Sequence, residues 1–274
     1  MDIESTITLN NQVKIPQFGL GVFKSPPGDD TYNAVRWALE AGYRHIDTAK
    51  AYGNESSVGK AVRDSAVPRE DIFITTKLWN QDMREDRQEE AFHESLHFLG
   101  LEYLDLYLIH WPVAEKFVES WQLMEEFYKD GLTRAIGVSN FNPHHLDTLL
   151  ETASIVPALN QIELHPFLLQ RDVTKYFRDK GIAIAAWSPL GRGHLLDNPV
   201  ITAIAARYEK TTAQVILRWH LQHGNIVIPK SIHKDRIISN ADLYTFTLTA
   251  EDISAIDALN QNLRFGSDPE TFTY

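Results

Sequence analysis

The sequence predicts an α/β protein folded as one (β/α)8 TIM barrel domain over residues 1–274, with a short N-terminal β-hairpin and an irregular C-terminal tail. Two observations indicate this class. Eight short β-like runs each precede a stretch with helical spacing, and unbroken strand–helix alternation at this length is typical of the barrel. The G-x-G pairs at Gly19 and Gly191 lack the third glycine of a dinucleotide-binding fingerprint, which argues against a doubly wound sheet.

The order of the elements follows from apolar periodicity and from glycine or proline at the boundaries. Residues 6–9 and 13–15 predict the hairpin, which turns at Asn10 and Asn11. The predicted barrel strands cover residues 18–22, 43–46, 72–76, 104–109, 134–138, 158–162, 182–186 and 225–228. The predicted helices cover residues 34–39, 58–62, 92–99, 117–128, 143–150, 173–177, 201–208, 213–221 and 251–259, and the irregular tail covers residues 264–274.

The composition excludes several classes of protein. A net charge of −11 argues against nucleic-acid binding and against binding to anionic membranes, because both require a basic surface. The chain has no cysteine, which excludes disulfides and thiolate chemistry and fits a reducing compartment. The N-terminus has no signal-peptide pattern, and no apolar run approaches the ~20 residues of a membrane span. We therefore expect a cytoplasmic protein without nucleic-acid or membrane partners.

Polar side chains follow or end seven of the predicted strands, about one strand–helix unit apart. They are Asp47, Lys77, His110, Ser139 with Asn140, Gln161, Trp187 with Ser188, and Lys230 with Ser231. Each has a structural explanation when taken alone, such as a helix cap, a solvated strand end or a hydrogen-bonded core histidine. Because barrel enzymes place their active sites at the C-terminal ends of the strands, a polar ring at these positions favours a functional interpretation.

Asp47, Tyr52, Lys77 and His110 together predict a proton-donating site. A phenol has an unperturbed pKa of about 10, and a lysine cation ~4 Å away would favour its phenolate by about 4 kcal/mol at an effective dielectric of ~20. Asp47 would orient Lys77 and keep it charged, and His110 would hold a substrate oxygen. Such a site can give a proton to a developing alkoxide, which fits reduction of a carbonyl compound with hydride from a nicotinamide.

The same strand ends carry residues that could bind a nicotinamide cofactor. Trp187 offers a flat face for a nicotinamide ring, whose carboxamide can bind Ser139, Asn140 and Gln161. Residues 228–240 concentrate three basic side chains, Lys230, Lys234 and Arg236, in an otherwise acidic chain. A solvated helix face would also explain them. Their position after the eighth strand, where barrels often bind phosphate, favours a phosphate site.

The sequence resembles the aldo-keto reductases over essentially its whole length, through GYRHIDTAKAYGNE at residues 42–55 and the later motifs LYLIHWP, GVSNF, NQIELHP and IPKSIHKDRIISN. This resemblance implies a barrel-shaped, monomeric, NADPH-dependent reductase of small carbonyl compounds. It implies a catalytic tetrad of Asp47, Tyr52, Lys77 and His110. It also implies cofactor-binding roles for Ser139, Asn140, Gln161, Trp187, Ser188, Leu190, Lys230, Ser231, Arg236 and Asn240.

Within that family the chain is most similar to the prokaryotic 2,5-diketo-D-gluconate reductases, through GVFKSPP, TTKLWN and AWSPLGRG. Phe23, Trp79 and Trp111 are the expected aromatic walls of the substrate pocket. Phe23 and Trp187 stand where the better-known eukaryotic members usually have tryptophan and tyrosine, respectively.

Three other functions compete with carbonyl reduction. A metal-dependent hydrolase could use His45, Asp47, His110 and His165, but no second H-x-H motif supports it, and we predict no metal. A Schiff-base aldolase would require a neutral Lys77, whereas Asp47 favours the cation. A catalytically silent NADPH-binding subunit would keep the fold and the cofactor site without turnover.

Overall fold

A parallel eight-stranded sheet forms the centre of the molecule in the computed structural model, which describes residues 2–272. Its strands neighbour one another in chain order, so each strand–helix unit adds one strand beside the last. The strands are β3 (Leu20–Gly21), β4 (His45–Asp47), β5 (Phe73–Leu78), β6 (Leu106–Ile109), β7 (Ile136–Ser139), β8 (Leu159–Glu163), β9 (Ala183–Trp187) and β10 (Ile226–Val227). The predicted barrel is confirmed.

The first and last strands of the sheet meet and close the barrel. Parallel bridges join Phe18 to Val227 and Gly21 to Lys230, and the Gly19 amide donates to the Val227 carbonyl over 2.9 Å. A side chain at Gly21 would place its Cβ 2.8 Å from the Ile228 carbonyl oxygen. The close approach of the two strands therefore requires glycine at this position.

Helices cover the outer face of the sheet and bury their apolar sides against it. They are α1 (Asp29–Glu40), α2 (Glu55–Arg63), α3 (Asn80–Arg84), α4 (Gln88–Leu99), α5 (Phe117–Lys129), α6 (Pro143–Leu150), α7 (Arg171–Asp179), α8 (Pro199–Tyr208), α9 (Thr212–Gln222), α10 (Lys234–Ala241) and α11 (Ala250–Asp257). Residues 143–150 match the predicted helix in both bounds, because Asn142 caps it and Pro143 starts it. Among residues 2–272, none of the helices combines the length and apolar character of a membrane span.

The predicted hairpin, β1 (Thr6–Thr8) with β2 (Lys14–Pro16), is also confirmed. It lies across the N-terminal end of the barrel, where Asn10 donates to the Pro157 carbonyl and Asn11 to the Arg134 carbonyl. Its buried side chains Leu9 and Ile15 join a core cluster with inward-facing strand residues. The hairpin therefore forms the floor of the barrel.

Some local structure differs from the prediction. Lys77 lies within β5, which continues to Leu78, and does not follow the strand. Tyr52 lies in a short 3-10 helix, Lys50–Tyr52, where a loop was predicted. The helix α3 was not predicted, because its five residues are too short for apolar periodicity to mark. The tail is irregular through residue 272, and its last two residues lie outside the described residues. The assignment of the whole chain to one domain stays a prediction.

Candidate active site

A cavity of about 760 Å³ opens at the C-terminal ends of the barrel strands. The sequence-predicted residues in its lining are Phe23, Asp47, Tyr52, Trp79, His110, Trp111, Ser139, Asn140, Gln161, Trp187, Ser188, Leu190, Lys230, Ser231 and Arg236. Two predicted residues do not line it. Lys77 lies fully buried beneath the wall, and Asn240 is buried within α10. The fold therefore brings nearly all of the candidate residues to one place.

Lys77 is held by three acceptors, one for each N–H of an ammonium group. Its Nζ lies 2.6 Å from Oδ1 of Asp47, 2.8 Å from the Thr48 carbonyl oxygen and 3.5 Å from the hydroxyl oxygen of Tyr52. Burial lowers the pKa of Lys77, and the Asp47 carboxylate opposes that shift. The three acceptors match the charged form, so the lysine and Asp47 form a buried ion pair.

Tyr52 forms part of the cavity wall above this ion pair. Because its oxygen accepts a hydrogen bond from Lys77, its own proton remains available for another acceptor. Burial raises the pKa of Tyr52 well above 10, and the nearby Asp47 carboxylate raises it further. Lys77 was expected to lower the pKa of Tyr52, but burial has the larger effect and the net shift is upward. Tyr52 is therefore a neutral phenol at neutral pH.

Asp47 has a second partner that the sequence did not indicate. Gln161 donates from its side-chain amide to Oδ2 of Asp47 over 2.7 Å, while Oδ1 pairs with Lys77. The backbone carbonyl oxygen of Gln161 accepts a hydrogen bond from the Ser139 hydroxyl at 2.8 Å. Gln161 was expected to bind a cofactor carboxamide. In the structure its amide orients the carboxylate, and it lines the cavity as well.

His110 lies between aromatic rings at the cavity wall. Its ring is edge-on to Tyr52 and to Trp79, with centroids 5.7 and 5.1 Å apart. Burial lowers the pKa of His110 well below its usual value, and the charge of Lys77 lowers it further, so the imidazole is neutral. Its Nδ1 is buried and has no hydrogen-bond partner among residues 2–272.

Trp187 is partly exposed in the cavity and is fixed by a hydrogen bond. Its indole N–H donates to Oδ1 of Asn140 over 2.8 Å, and the Asn140 amide donates to the His110 carbonyl oxygen over 3.0 Å. Asn140 can adopt the required backbone angle, φ 62°, because asparagine tolerates the left-handed region. This pair orients the indole ring at the end of β9.

The side of the cavity beside β10 is basic. Lys230 and Arg236 are exposed there, and neither has an ion-pair partner within residues 2–272. The N-terminus of α10 lies at the same side, and no side chain caps its first amides. Free amides at a helix N-terminus and uncommitted cations are the groups that bind phosphate.

The C-terminal tail supplies cavity residues that sequence analysis missed. Phe272 stacks on Trp111 with ring centroids 3.9 Å apart, and Ser267 also lines the cavity. The tail is tied to the barrel by Glu163, a buried acid at the end of β8 that was not selected. The motif NQIELHP contains this acid directly after an apolar strand, which was the signal that could have identified it.

The histidines considered for a metal site do not converge. His45 is buried, with Nε2 3.0 Å from the Thr75 hydroxyl, and His165 pairs with Glu163 at 3.3 Å. Among the described residues, one group of side chains places potential metal-ligand atoms within 4.8 Å of one another. It consists of His144, His145 and Glu270, which do not line the cavity. Nδ1 of His145 already accepts the Asn142 amide at the cap of α6.

The fold and the cavity define a (β/α)8-barrel protein with its polar site at the C-terminal ends of the strands. A model of the aldo/keto reductase family matches residues 17–261. The chain belongs to this family, and the expectation from its motifs is confirmed. As a member, it falls among oxidoreductases that reduce carbonyl compounds.

Individual relatives are similar over nearly their whole length. The 9,11-endoperoxide prostaglandin H2 reductase of Trypanosoma cruzi is 50% identical over 269 residues, 97% of this chain and 95% of that protein. The glyoxal reductase of Bacillus subtilis is 50% identical over 272 residues, 99% of each. The structure of a Bombyx mori aldo-keto reductase in complex with NADP matches with a TM-score of 0.90 and 40% identity, over 98% of this chain and 97% of that one. Because these relatives have different names, the 2,5-diketo-D-gluconate reductase subgroup stays a prediction.

Proposed function

We propose that the protein reduces small aldehydes and ketones to alcohols with NADPH, and that Tyr52 is the general acid. The observation that carries this proposal is the arrangement of Tyr52 and Lys77. The phenol stands in the cavity wall, its oxygen accepts from a buried ammonium group, and its proton is available to a substrate oxygen. Proton donation to a developing alkoxide requires such a group.

Lys77 stabilises the negative charge that develops on the Tyr52 oxygen as the proton leaves. At 3.5 Å and an effective dielectric of ~20, the attraction to a full charge is about 5 kcal/mol. Asp47 holds the lysine, Gln161 holds Asp47, and neither needs to move during the reaction. Charge stabilisation by groups that are already oriented is a large source of rate enhancement.

His110 binds the substrate oxygen beside Tyr52. Its imidazole is neutral and therefore carries one N–H. We assign that proton to Nε2, because the buried Nδ1 has no acceptor among the described residues. The ring can then donate a hydrogen bond to the carbonyl oxygen without competing as an acid.

The residues of the cavity fit NADPH. Trp187 offers its ring at the end of β9, where Asn140 orients it, and the uncommitted cations Lys230 and Arg236 lie beside the open N-terminus of α10. Arg236 is suited to the 2′-phosphate that distinguishes NADPH from NADH. When bound, the cofactor supplies the hydride that reduces the carbonyl carbon. A solved relative from Bombyx mori is in complex with NADP, which supports this choice.

The competing functions are less well supported. A Schiff-base lysine must reach its substrate, whereas Lys77 is fully buried and bound to three acceptors. A silent cofactor-binding subunit would not need the buried ion pair, which is costly to place in a core. The monomeric state and the cytoplasmic location stay predictions.

The proposal is tested with Tyr52→Phe, which keeps the ring and removes the acid. We expect carbonyl reduction to fall by at least ~10²-fold, the lower range for losing a general acid. NADPH binding should persist, because the substitution removes only the hydroxyl and its hydrogen bond from Lys77, and neither is a group assigned to the cofactor. Tyr128→Phe, a change in α5 outside the cavity, is the control. A Tyr52→Phe protein that reduces aldehydes at nearly the wild-type rate would refute this role for Tyr52, and His110 would become the candidate acid.

A further inference from the structure

Glu163 at the end of β8 has its carboxylate completely buried and directed to the C-terminal tail. Oε1 accepts the backbone N–H of Phe265 at 2.8 Å, and both oxygens accept the N–H of Gly266 at 3.1 Å. His165 lies 3.3 Å from the same Oε1. The contacts with Phe265 and Gly266 join positions about a hundred residues apart in the chain.

The carboxylate of Glu163 is a polar group in the protein interior. Placing a carboxylate in the interior is unfavourable unless hydrogen bonds compensate for the lost water. Burial acts to raise the pKa of Glu163, but His165 and the amides of Phe265 and Gly266 outweigh burial and lower it. The acid is therefore ionised at neutral pH, and two of the groups that stabilise its charge belong to the tail.

The anchored tail sets one side of the cavity. Gly266 lies so close to the ring of Trp187 that an added Cβ would come within 2.2 Å of it. Further along, Ser267 and Phe272 line the cavity, and Phe272 stacks on Trp111. The position of this aromatic wall therefore depends on where the tail is held, at Glu163 and also at Glu270, which accepts a hydrogen bond from the Asn142 side chain.

We propose that Glu163 is a positioning residue that holds the tail over the cavity and so selects for carbonyl compounds with an aromatic substituent. Such a substituent packs on the wall formed by Trp111 and Phe272, whereas a small aliphatic aldehyde does not reach it. The proposal rests on the proposed reductase function. Trp187 keeps its own hydrogen bond to Asn140, so we expect NADPH binding to change little when the anchor is lost.

Glu163→Gln tests the anchor in the full-length chain. The glutamine has a similar shape, but its N–H2 group replaces one of the two oxygens that accept the Gly266 N–H and faces that donor instead. We expect the KM for naphthaldehyde to rise at least fivefold, with kcat and the KM for propanal within twofold of wild type. Exchange of the Phe265 and Gly266 amides should accelerate at least tenfold. Unchanged exchange, or equal losses for both aldehydes, would overturn the proposal.

Glu125→Gln is the matched control, because Glu125 is also a buried acid that accepts two backbone amides, those of Ser154 and Ile155. It should leave both KM values unchanged even where it lowers stability. If both variants shift the naphthaldehyde KM alike, the effect is general destabilisation and the proposal fails.

A double variant shows whether Glu163 acts through Phe272. Phe272→Ala alone should raise the KM for naphthaldehyde. Adding Glu163→Gln to that variant should raise this KM no further. Additive effects of the two substitutions would show that Glu163 does not act through Phe272. If Glu163→Gln does not fold, Gly266→Ala displaces the same segment and should raise the KM for naphthaldehyde more than the KM for propanal. A wild-type protein that reduces neither aldehyde overturns the reductase function, and amide exchange still decides whether Glu163 anchors the tail.

Discussion

Replacing Lys77 with methionine removes the charge beneath Tyr52 but keeps an unbranched apolar side chain in the strand. The attraction between the ammonium group and a full phenolate at 3.5 Å is about 5 kcal/mol at an effective dielectric of ~20. If roughly half of that charge has developed in the transition state, the variant loses about 2 to 2.5 kcal/mol. With 1.36 kcal/mol for each factor of ten, reduction should slow by roughly 30- to 70-fold.

The loss should appear in kcat and not in cofactor binding, because Lys77 does not line the cavity. Initial rates of NADPH oxidation at saturating aldehyde measure kcat, and fluorescence titration measures the Kd for NADPH. A Lys77→Met protein with kcat within about threefold of wild type would refute the electrostatic role of the lysine. A large change in the Kd would show that the substitution had disturbed the cavity itself.

A second substitution separates the two charges of the buried pair. Lys77→Met leaves the Asp47 carboxylate without its cation, and that carboxylate raises the pKa of Tyr52. Asp47→Asn in the Lys77→Met background removes the uncompensated charge. The double variant should therefore be more stable to heat and faster than Lys77→Met alone. A slower double variant would contradict this account.

Two further predictions concern the cofactor. Arg236→Ala should raise the KM for NADPH at least tenfold and leave that for NADH nearly unchanged, because only the former has a 2′-phosphate; Lys234→Ala is the control, and equal losses for both cofactors would indicate a structural role for Arg236. Trp187→Phe should lose much of the fluorescence quench that NADPH causes in a protein with six tryptophans. A full wild-type quench in that variant would rule out Trp187 as the stacking partner.

The barrel could be predicted because its signals are local and repeated. Apolar runs bounded by glycine or proline recur along the chain, and Pro143 and Asn142 mark a helix start to the residue. The polar strand ends Asp47 and His110 could be selected because parallel strands in a barrel end on the same face. Their convergence then followed from topology alone.

Contacts between distant segments could not be predicted in the same way. The hydrogen bond from Gln161 to Asp47 joins β8 to β4 across the barrel interior, and no spacing in the chain encodes it. The stack of Phe272 on Trp111 places an irregular tail over the cavity. The pKa of Tyr52 also depends on how deeply the folded protein encloses it, and burial outweighs the lysine that sequence reasoning emphasised.

The hairpin that closes the N-terminal end of the barrel also keeps electrolyte from reaching the site from that side. Leu9 and Ile15 close the N-terminal end with apolar side chains, and Tyr52 lies above Lys77 on the cavity side. Mobile ions screen exposed charges with a Debye length of about 8 Å at physiological ionic strength, and they screen buried or partly buried pairs much less. The attraction between Lys77 and Tyr52 should therefore depend less on salt than the attraction of exposed Lys230 and Arg236 for a charged ligand. Within one barrel, ionic strength can regulate capture of a charged ligand with little effect on the strength of the acid.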